Sequence, residues 1–374
     1  MLLGARYMPD SSEKTLRVVA IGGGTGLSTL LRGLKRYVGA PERRRRRSDW
    51  QDGAENFDAQ RSPNACPDSS CLIRELTAVV TVSDDGGSSG RLREDLKMLP
   101  PGDIRNCLVA LSEDEHLLSR LFQVRFDQGE LEGHSFGNLF VAALSQITGD
   151  FAKAVQMSSQ ILAIRGRIFP ATNTNVTLAA LMDDGSTVEG ETSITASKRR
   201  IVELMLVPET ATPLPRTLEA IAQADLITVG PGSLYTSLIT NLLVRGIPQA
   251  MAASKATKVF VCNLMSQANE SLGLTASQHI EKILQHAGNT NWPLFDYALV
   301  NTAEVSAERL EKYALEGQMP IEADLEAIRR LGMEPITGGF LHEGDVLRHD
   351  YDKVAEALLA LGLSRCKQVP VLRH

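Results

Sequence analysis

The sequence predicts an α/β protein with a three-layer Rossmann-like fold, built on a mostly parallel sheet with a small β-hairpin elaboration. Short apolar runs alternate with amphipathic segments along most of the chain. Strands that alternate with helices are typical of a parallel sheet covered by helices on both faces. Glycine-rich turns directly follow two of the apolar runs. Apolar residues form 43% of the 374 residues, which is enough for a sizeable core.

The order of the predicted elements supports this fold. LRVVAI (16–21) is a short β-branched run that predicts a buried strand, and it is followed by GGGTG and by leucines at helical spacing. LTAVVTV (76–82) predicts the second strand. The segment 218–244 contains a helix, the strand LITVG, a Gly-Pro-Gly-Ser turn and another helix. The remaining predicted elements are helices over 104–124 and 137–148, a hairpin over 176–191 with DDGS as its turn, and strands at 258–263 and 297–301.

One α/β domain is expected over residues 15–360, between a flexible tail over 1–14 and a C-terminal tail over 361–374. The segment 41–73 interrupts the pattern, because it is polar, rich in Arg, Asp, Ser and Pro, and lacks hydrophobic periodicity. We interpret this segment as a disordered insertion, and its five consecutive arginines (43–47) as a solvated feature of the loop.

Charge and cysteine content exclude several classes of protein. The formal net charge is −6, from 45 acidic and 39 basic residues, which gives no support for a nucleic-acid partner. Five scattered cysteines do not form a disulfide framework, so a reducing compartment is the simpler interpretation. No apolar run approaches the 18 residues of a membrane span.

The first loop that could carry chemistry is Gly22–Gly26, between the first strand and its helix. Glycines there allow close backbone approach, and the helix N-terminus offers free N–H groups to an anion. The spacing is not G-x-G-x-x-G, because residue 27 is Leu, and no Gly-Lys-Ser/Thr follows as in a P-loop. A purely structural tight turn is the alternative.

The second loop, DDGGSSGRLR (84–93), begins with two acids at the end of the second strand. Asp84 and Asp85 are candidates for a ribose acceptor, a Mg²⁺ ligand or a helix cap, which stabilises a helix by about 1 kcal/mol. The insertion places these acids far beyond the usual distance of about 20 residues from the first glycine turn. Arg91 and Arg93 either reach an anion or face water.

Three further polar segments follow along the chain. PPGDIRN (100–106) places Asp103, Arg105 and Asn106 between a Pro-Gly turn and an apolar helix. GPGSLYTS (230–237) is a second glycine turn directly after a strand, and two such turns suit a diphosphate better than a single anion. GHSFGN (133–138) places His134 and Asn138 at a helix start, where a structural role of the histidine competes with a catalytic one.

Taken in order, AIGGGTGLSTLLRGLK, TVSDDGGSSGRLR, PPGDIRNCLVAL, GHSFGNLF, ILAIRGRIFPAT and ITVGPGSLYTSLITNLLV resemble the gluconeogenesis factor family. These are the YvcK-type, CofD-like proteins related to 2-phospho-L-lactate transferase. The resemblance covers about residues 16 to 360, apart from the insertion. It implies a Rossmann-like fold, a cytoplasmic bacterial protein and a homodimer or higher homo-oligomer.

The resemblance also implies the ligand. In this family the glycine loops hold a nucleotide diphosphate, and the known ligand class is UDP-sugars such as UDP-glucose or UDP-N-acetylglucosamine. The family is linked to growth on gluconeogenic carbon sources, to cell shape and to cell-wall precursor supply. The alternative is an enzyme of the 2-phospho-L-lactate transferase type, which uses a nucleotide-diphosphate donor and Mg²⁺. The glycine spacing argues against a third possibility, an NAD(P)-dependent oxidoreductase.

The expected ligand-binding residues combine the polar loops with the resemblance, and no catalytic residue is assigned. Asp84 and Asp85 are the candidate Mg²⁺ ligands. Leu274, in SQANESLGLT (266–275), stands where the family commonly has an aromatic residue that stacks on the ligand. The expected ligand-binding set is Gly23, Gly24, Thr25, Gly26, Asp84, Asp85, Gly87, Ser88, Ser89, Asp103, Arg105, Asn106, His134, Asn138, Gly230, Gly232, Ser233, Tyr235 and Arg348.

Overall fold

The structure is a computed structural model that describes residues 15–39, 71–113, 120–197, 199–268, 270–288, 290 and 293–367. Its strands are β1 Leu16–Gly22, β2 Ile73–Val80, β3 Arg167–Pro170, β4 Thr177–Met182, β5 Thr187–Glu189, β6 Ile201–Val207, β7 Leu226–Val229, β8 Thr257–Val261, β9 Tyr297–Asn301, β10 Glu334–Gly338, β11 Leu341–Glu343 and β12 Leu347–His349.

The helices lie between these strands. They are α1 Gly24–Lys35, α2 Gly87–Leu96, α3 Gly102–Leu111, α4 Phe136–Thr148, α5 Phe151–Ile161, α6 Glu191–Ala196, α7 Pro215–Gln223, α8 Thr240–Leu243, α9 Ile247–Ala253, α10 Ala276–Ala287, α11 Ala307–Leu315, α12 Leu325–Arg330 and α13 Tyr351–Lys367. A π-helical turn, Leu234–Ile239, leads directly into α8. Within the described ranges, no helix is both long and apolar enough to cross a membrane.

A seven-stranded parallel sheet forms the middle layer, in the order β10-β9-β8-β7-β1-β2-β3. The predicted α/β class with a mostly parallel sheet is therefore confirmed. A separate antiparallel sheet, in the order β5-β4-β6, contains the predicted hairpin, and β11 pairs with β12.

Both faces of the central sheet are buried, as the apolar strand sequences require. Side chains alternate along β1: Val18 and Ala20 pack on one face, whereas Val19 and Ile21 pack on the other. The first face is covered by α1, α3 and α13, and the second by the β5-β4-β6 sheet, α7 and α10. Each fully buried Val, Leu or Ile stabilises the fold by about 1.5–3 kcal/mol relative to exposure.

Three predicted boundaries differ from the structure. Within the helix predicted over 104–124, α3 ends at Leu111, because Ser112 is extended and its N–H bonds back to the Leu108 and Val109 carbonyls. Residues 120–123 are helical again. The predicted insertion ended at residue 73, but Ile73 already begins β2, and its N–H donates to the Tyr37 carbonyl. The predicted C-terminal tail began at 361, but α13 runs on to Lys367. The predictions for 1–14 and for most of 41–73 lie outside the described residues.

Candidate functional site

The two glycine turns lie side by side at the carboxyl end of the sheet. They follow β1 and β7, which are adjacent strands. A Cβ added at Gly26 would lie 2.4 Å from the Pro231 carbonyl oxygen, so the backbones of the two turns touch and only glycine fits there. Gly232 also lies against the first turn, because a Cβ added at Gly232 would lie 3.6 Å from the Gly23 carbonyl oxygen.

The N-terminus of α1 faces this junction without a side-chain cap. Gly23 precedes the helix, and no side chain bonds to the first-turn N–H groups from the N-cap position. Gly24 has a φ of +61°, in the left-handed region that favours glycine. The Gly24 N–H donates to the Asp103 carboxylate, and the other first-turn N–H groups carry no side-chain cap. Because such N–H groups and the helix dipole both favour anions, this end of α1 is suited to a phosphate.

A cleft of about 470 Å³ opens from the two turns. We call it the glycine-turn cleft. Arg348, one of the expected ligand-binding residues, lies on its wall together with Ser233, Asn263, Gln267 and Tyr313. Apolar atoms of this wall come from Leu264, Met265, Val346 and Leu347. The cleft therefore offers N–H groups and one guanidinium to anions, and an apolar side to a base.

Asn263 and Gln267 hold the second glycine turn in place. Asn263 accepts a hydrogen bond from the Gly232 N–H at 3.1 Å and donates to the Gly232 carbonyl at 2.7 Å. Gln267 donates to Ser233 Oγ at 3.1 Å. Neither residue was predicted from the sequence, although Asn263 is the last residue of the predicted strand KVFVCN (258–263). The signal that could have found Asn263 is its position at the end of a strand, next to the strands that carry the glycine turns.

Asp84 and Asp85 diverge instead of forming a pair. Asp84 accepts a hydrogen bond from the Gly86 N–H at 2.9 Å, and its other oxygen lies over Gly102 at the start of α3. Asp85 accepts from the N–H and the hydroxyl of Thr192, at 2.8 and 2.6 Å, so it caps α6. The helix-cap alternative is therefore the one that fits Asp85.

Asp103 lies against the first glycine turn. A Cβ added at Gly23 would lie 2.7 Å from Asp103 Oδ2, and the Gly24 N–H donates to the carboxylate. Burial and, to a smaller extent, the charge of Asp84 raise the pKa of Asp103 to about 6, against the Gly24 hydrogen bond and the charge of Arg105, which lower it. Glu191, which the sequence analysis did not select, has its pKa raised to about 9 by burial and by the charges of Asp84 and Asp103. The Ser83 hydroxyl donates to Glu191 at 3.0 Å.

The predicted Mg²⁺ site depends on which carboxylates lie close together. Asp85 is committed to Thr192 and does not face the glycine-turn cleft. Over the described ranges, no group of three His, Cys, Asp or Glu residues is placed to hold a metal ion. Mg²⁺ is often held by one or two carboxylates together with substrate phosphates. Asp84 and Asp103 line one pocket, whereas Asp85 does not, and the Asp84–Asp85 site for Mg²⁺ stays a prediction.

Ser88, His134 and Asn138 form a buried network beneath α2. The Ser88 hydroxyl lies 3.1 Å from His134 Nδ1, and Asn138 Nδ2 donates to Ser88 Oγ at 3.1 Å. Burial and the charge of Arg91 lower the pKa of His134, which favours the neutral imidazole. The contacts of His134 support the structural alternative. Ser89 also lies in this network, 3.5 Å from Asn138 Nδ2.

Several predicted residues do not reach a ligand surface. The Tyr235 ring is 1% exposed, packs edge-on against His286 and donates to the Ile201 carbonyl, so it belongs to the core. Leu274 packs against the same core and does not line the glycine-turn cleft. Gly230 serves packing, because a Cβ on it would lie 2.7 Å from the Val261 carbonyl oxygen. Arg93 donates to the Val176 carbonyl and to Thr177, which ties α2 to β4.

The remaining predicted residues divide between two cavities. Gly23, Gly24, Thr25, Gly26, Gly232, Ser233 and Arg348 line the glycine-turn cleft. A smaller pocket of about 160 Å³ is lined by Asp84, Gly87, Ser88, Ser89, Asp103, Arg105, Asn106 and Asn138. Asp103 connects them, because it lines the smaller pocket and contacts the turn that lines the cleft.

The chain is similar in sequence and in fold to several known proteins. A family model described as 2-phospho-L-lactate transferase CofD matches residues 18–341. The chain is 43% identical over 347 residues to a gluconeogenesis factor of Bacillus subtilis, covering 92% of this chain and 98% of that one. It is 44% identical over 348 residues to a gluconeogenesis factor of Halalkalibacterium halodurans, with 92% and 96% covered. A crystal structure of a UPF0052 family protein from Bacillus halodurans is similar, with a TM-score of 0.80 at 44% identity, covering 93% of this chain and all of that one.

Proposed function

The chain belongs to the CofD family, and on this premise we propose that it is a cytoplasmic gluconeogenesis factor that binds a nucleotide sugar. UDP-glucose and UDP-N-acetylglucosamine are the ligands we propose. In this role the protein is a regulator that links carbon metabolism to cell shape and cell-wall precursor supply. A regulator needs to bind its ligand but does not need to transform it.

The contact between the two glycine turns is the observation that carries the proposal. The uncapped N-terminus of α1 and the Gly232–Ser233 turn border one cleft, and Arg348 lies on the same wall. A diphosphate carries two adjacent anionic groups. The helix N-terminus would bind one of them through backbone N–H groups, and Arg348 would bind the other through charge-assisted hydrogen bonds.

The other parts of the ligand fit the rest of the cleft. Tyr313 and Leu347 offer a wall to a base, and the Tyr313 hydroxyl is held by the Leu347 N–H at 2.8 Å. The Asp103 carboxylate, next to Gly24, would accept a hydrogen bond from a sugar hydroxyl.

The second candidate is a transferase of the 2-phospho-L-lactate type, and Asp103 is the observation that favours it. A carboxylate whose pKa is about 6 is suited to accept a proton from an attacking hydroxyl near neutral pH. Phosphoryl-type transfer also needs its developing charge neutralised, most simply by Mg²⁺. When bound, that ion would be held by Asp84 and Asp103 and would stabilise the phosphate oxygens.

The deciding experiment compares binding and turnover in the same samples. The affinity of UDP-glucose and of UDP-N-acetylglucosamine is measured by calorimetry with EDTA and with millimolar Mg²⁺, and products are sought by mass spectrometry after long incubation. We expect binding that is nearly independent of Mg²⁺ and no product. GDP-sugars and NAD serve as matched nucleotide controls. Binding that requires the metal, together with a product, would support the transferase instead.

We also propose a homodimer or higher homo-oligomer, which rests on the resemblance to the family alone. Light scattering coupled to size-exclusion chromatography tests it. A mass equal to one chain at micromolar concentration would contradict the proposal.

A further inference from the structure

A buried glutamate that the proposed function does not use lies behind the second glycine turn. Glu270 belongs to the loop between β8 and α10 and is 9% exposed. Its Oε2 accepts a hydrogen bond from the Tyr235 N–H at 3.3 Å, and its Oε1 accepts one from the Thr236 hydroxyl at 3.0 Å. The Thr236 N–H also donates to this carboxyl group. Burial raises the pKa of Glu270, against these hydrogen bonds, which lower it.

Glu270 caps a helix from outside, in place of the residue that precedes the helix. The π-helical turn Leu234–Ile239 continues directly into α8, and the first N–H groups of such a helix have no partner within it. A serine in the preceding position usually accepts one of them. The Ser233 side chain makes no such bond and lines the glycine-turn cleft instead. Because Glu270 binds the helix start, Ser233 is left to face the cleft.

The loop that carries Glu270 holds the whole second turn. Asn263 bonds to both backbone groups of Gly232, and Gln267 contacts Ser233 Oγ. Asn263 and Gln267 themselves line the cleft, whereas Glu270 does not. Any effect of Glu270 on a bound ligand must therefore pass through the turn that it holds.

The position of the second turn also determines the shape of the first. A Cβ added at Gly26 would lie 2.4 Å from the Pro231 carbonyl oxygen, so the two backbones are in direct contact. Protein interiors are close-packed, and such a contact transmits displacement. A shift of the second turn would either press on the N-terminus of α1 or open the junction. Both changes would move the N–H groups that are suited to a phosphate.

We propose that Glu270 is a positioning residue for ligand binding. By capping the helix behind the second glycine turn, it holds Gly232 and Ser233 at the cleft. Through the contact between the turns, it also fixes the anion site at the N-terminus of α1. The inference rests on the proposed function for the identity of the ligand. A carboxylate near a diphosphate would weaken binding by its charge alone, so the positioning role predicts the opposite sign when Glu270 is replaced.

The first test compares two capping carboxylates by calorimetry with UDP-glucose. Glu270→Gln keeps the size of the side chain but only one of its two acceptor oxygens, and we expect affinity to fall about tenfold. Asp324→Asn is the matched control. Asp324 accepts the Ser277 N–H at 2.9 Å and the Thr275 hydroxyl at 2.7 Å at the start of α10, and it does not line the cleft.

The control variant should lose stability and keep its affinity. Unchanged or higher affinity in Glu270→Gln, or an equal loss in both variants, would overturn the proposal. Thr236→Val is the second variant, in case Glu270→Gln does not fold. It removes the hydroxyl that donates to Glu270 and leaves the backbone N–H in place. We expect its UDP-glucose affinity to fall about threefold, and an unchanged affinity would contradict the positioning role.

A double-mutant cycle tests whether Glu270 acts through Ser233. UDP-glucose affinity is measured for Glu270→Gln, for Ser233→Ala and for the double variant. If Glu270 holds Ser233 at the cleft, the combined loss should be smaller than the product of the two single losses, by about threefold. The cycle of Asp324→Asn with Ser233→Ala should be additive. Additive losses in the Glu270 cycle would show that Glu270 does not act through this turn.

Hydrogen exchange in the ligand-free protein separates this inference from the proposed function. We expect Glu270→Gln to speed exchange of the amides in 234–236 and also in 24–27, whereas Asp324→Asn should change neither segment. Faster exchange confined to 234–236 would reduce Glu270 to a local cap and overturn the proposal. If the parent protein does not bind UDP-glucose, the nucleotide-sugar proposal fails, and the exchange pattern still decides whether Glu270 positions the two turns.

Discussion

The two walls of the site present different chemistry to a ligand. The glycine wall, Gly23–Gly26 with Pro231–Ser233, offers backbone N–H groups and is shaped by contacts that exclude side chains. The carboxylate wall, Asp84, Asp103 and Glu191, offers acids of which the last two have pKa values raised by burial. The difference teaches that substitutions on the first wall act through shape, whereas those on the second act through charge and therefore depend on pH.

The largest effect is expected from a substitution that blocks the glycine wall. Gly24→Val places a branched side chain at φ +61° beside the free N-terminus of α1, with Ser237 Oγ 3.7 Å from the new Cβ. Because the space admits the side chain but the cleft then loses its anion site, we expect UDP-glucose affinity to fall by about 100-fold or more in a folded protein. Calorimetry measures the affinity, and circular dichroism checks the fold.

Gly185→Val is the matched control for backbone strain. Gly185 has a φ of +81° in the β4–β5 turn, and an added Cβ meets no heavy atom within 4 Å. This variant should lose similar stability but keep its affinity. Unchanged affinity in Gly24→Val, or an equal loss of affinity in both variants, would show that the glycine wall does not bind the ligand.

Substitutions of Asp84 and Asp85 test which of these two aspartates belongs to the carboxylate wall. Asp85→Asn removes the charged cap of α6, so we expect unfolding to become easier by about 1–2 kcal/mol, with nucleotide-sugar affinity unchanged. Asp84→Asn should instead weaken UDP-glucose binding by about tenfold, because Asp84 lines the same pocket as Asp103, which contacts the first glycine turn, and the effect on stability should be smaller. Urea denaturation and calorimetry on both variants decide between them. The reverse assignment would mean that Asp85, not Asp84, faces the ligand.

Glu191→Gln tests how the carboxylate wall makes stability depend on pH. The folded-state pKa of Glu191 is raised to about 9 from 4.5, so the folded protein binds a proton that the unfolded chain releases. Its contribution to stability is therefore full below about pH 4.5 and is lost as pH rises towards 9. We expect Glu191→Gln to be neutral at pH 4 and to stabilise the protein by at least about 1 kcal/mol at pH 8.

Thermal or urea denaturation at both pH values measures this difference. Glu189→Gln, an exposed neighbour on β5, is the control that should show no such trend. A Glu191→Gln variant whose stability relative to the parent does not change with pH would contradict the raised pKa of Glu191.

The smallest effect is expected from shortening the 41–73 insertion. The backbone on either side of the 41–73 insertion meets in a bridge between Val38 and Ile73, and the Gly39 N–H donates to the Ile73 carbonyl at 3.1 Å. Leu72 also pairs with Leu16, so the excision should stop at residue 70. Replacing residues 41–70 by a short Gly-Ser linker should change stability by less than about 1 kcal/mol, because closure entropy varies slowly with loop length.

Ligand affinity is measured on the same shortened protein and should equal that of the parent. A folded protein that has lost UDP-glucose binding would show that the insertion contributes to the site.

The sequence by itself determined the layers of this protein and the places where loops could bind anions. Period-two and period-3.6 patterns record which face of each element is buried, and glycines after strands record where the backbone must turn closely. Only the tertiary structure decided which of these residues meet. Asp84 and Asp85 are adjacent in sequence but point to different partners, and Tyr235 turns into the core from a ligand loop. Asn263 reaches the site from a different strand, because a site at the carboxyl edge of a parallel sheet is assembled by strand order, which no local pattern encodes.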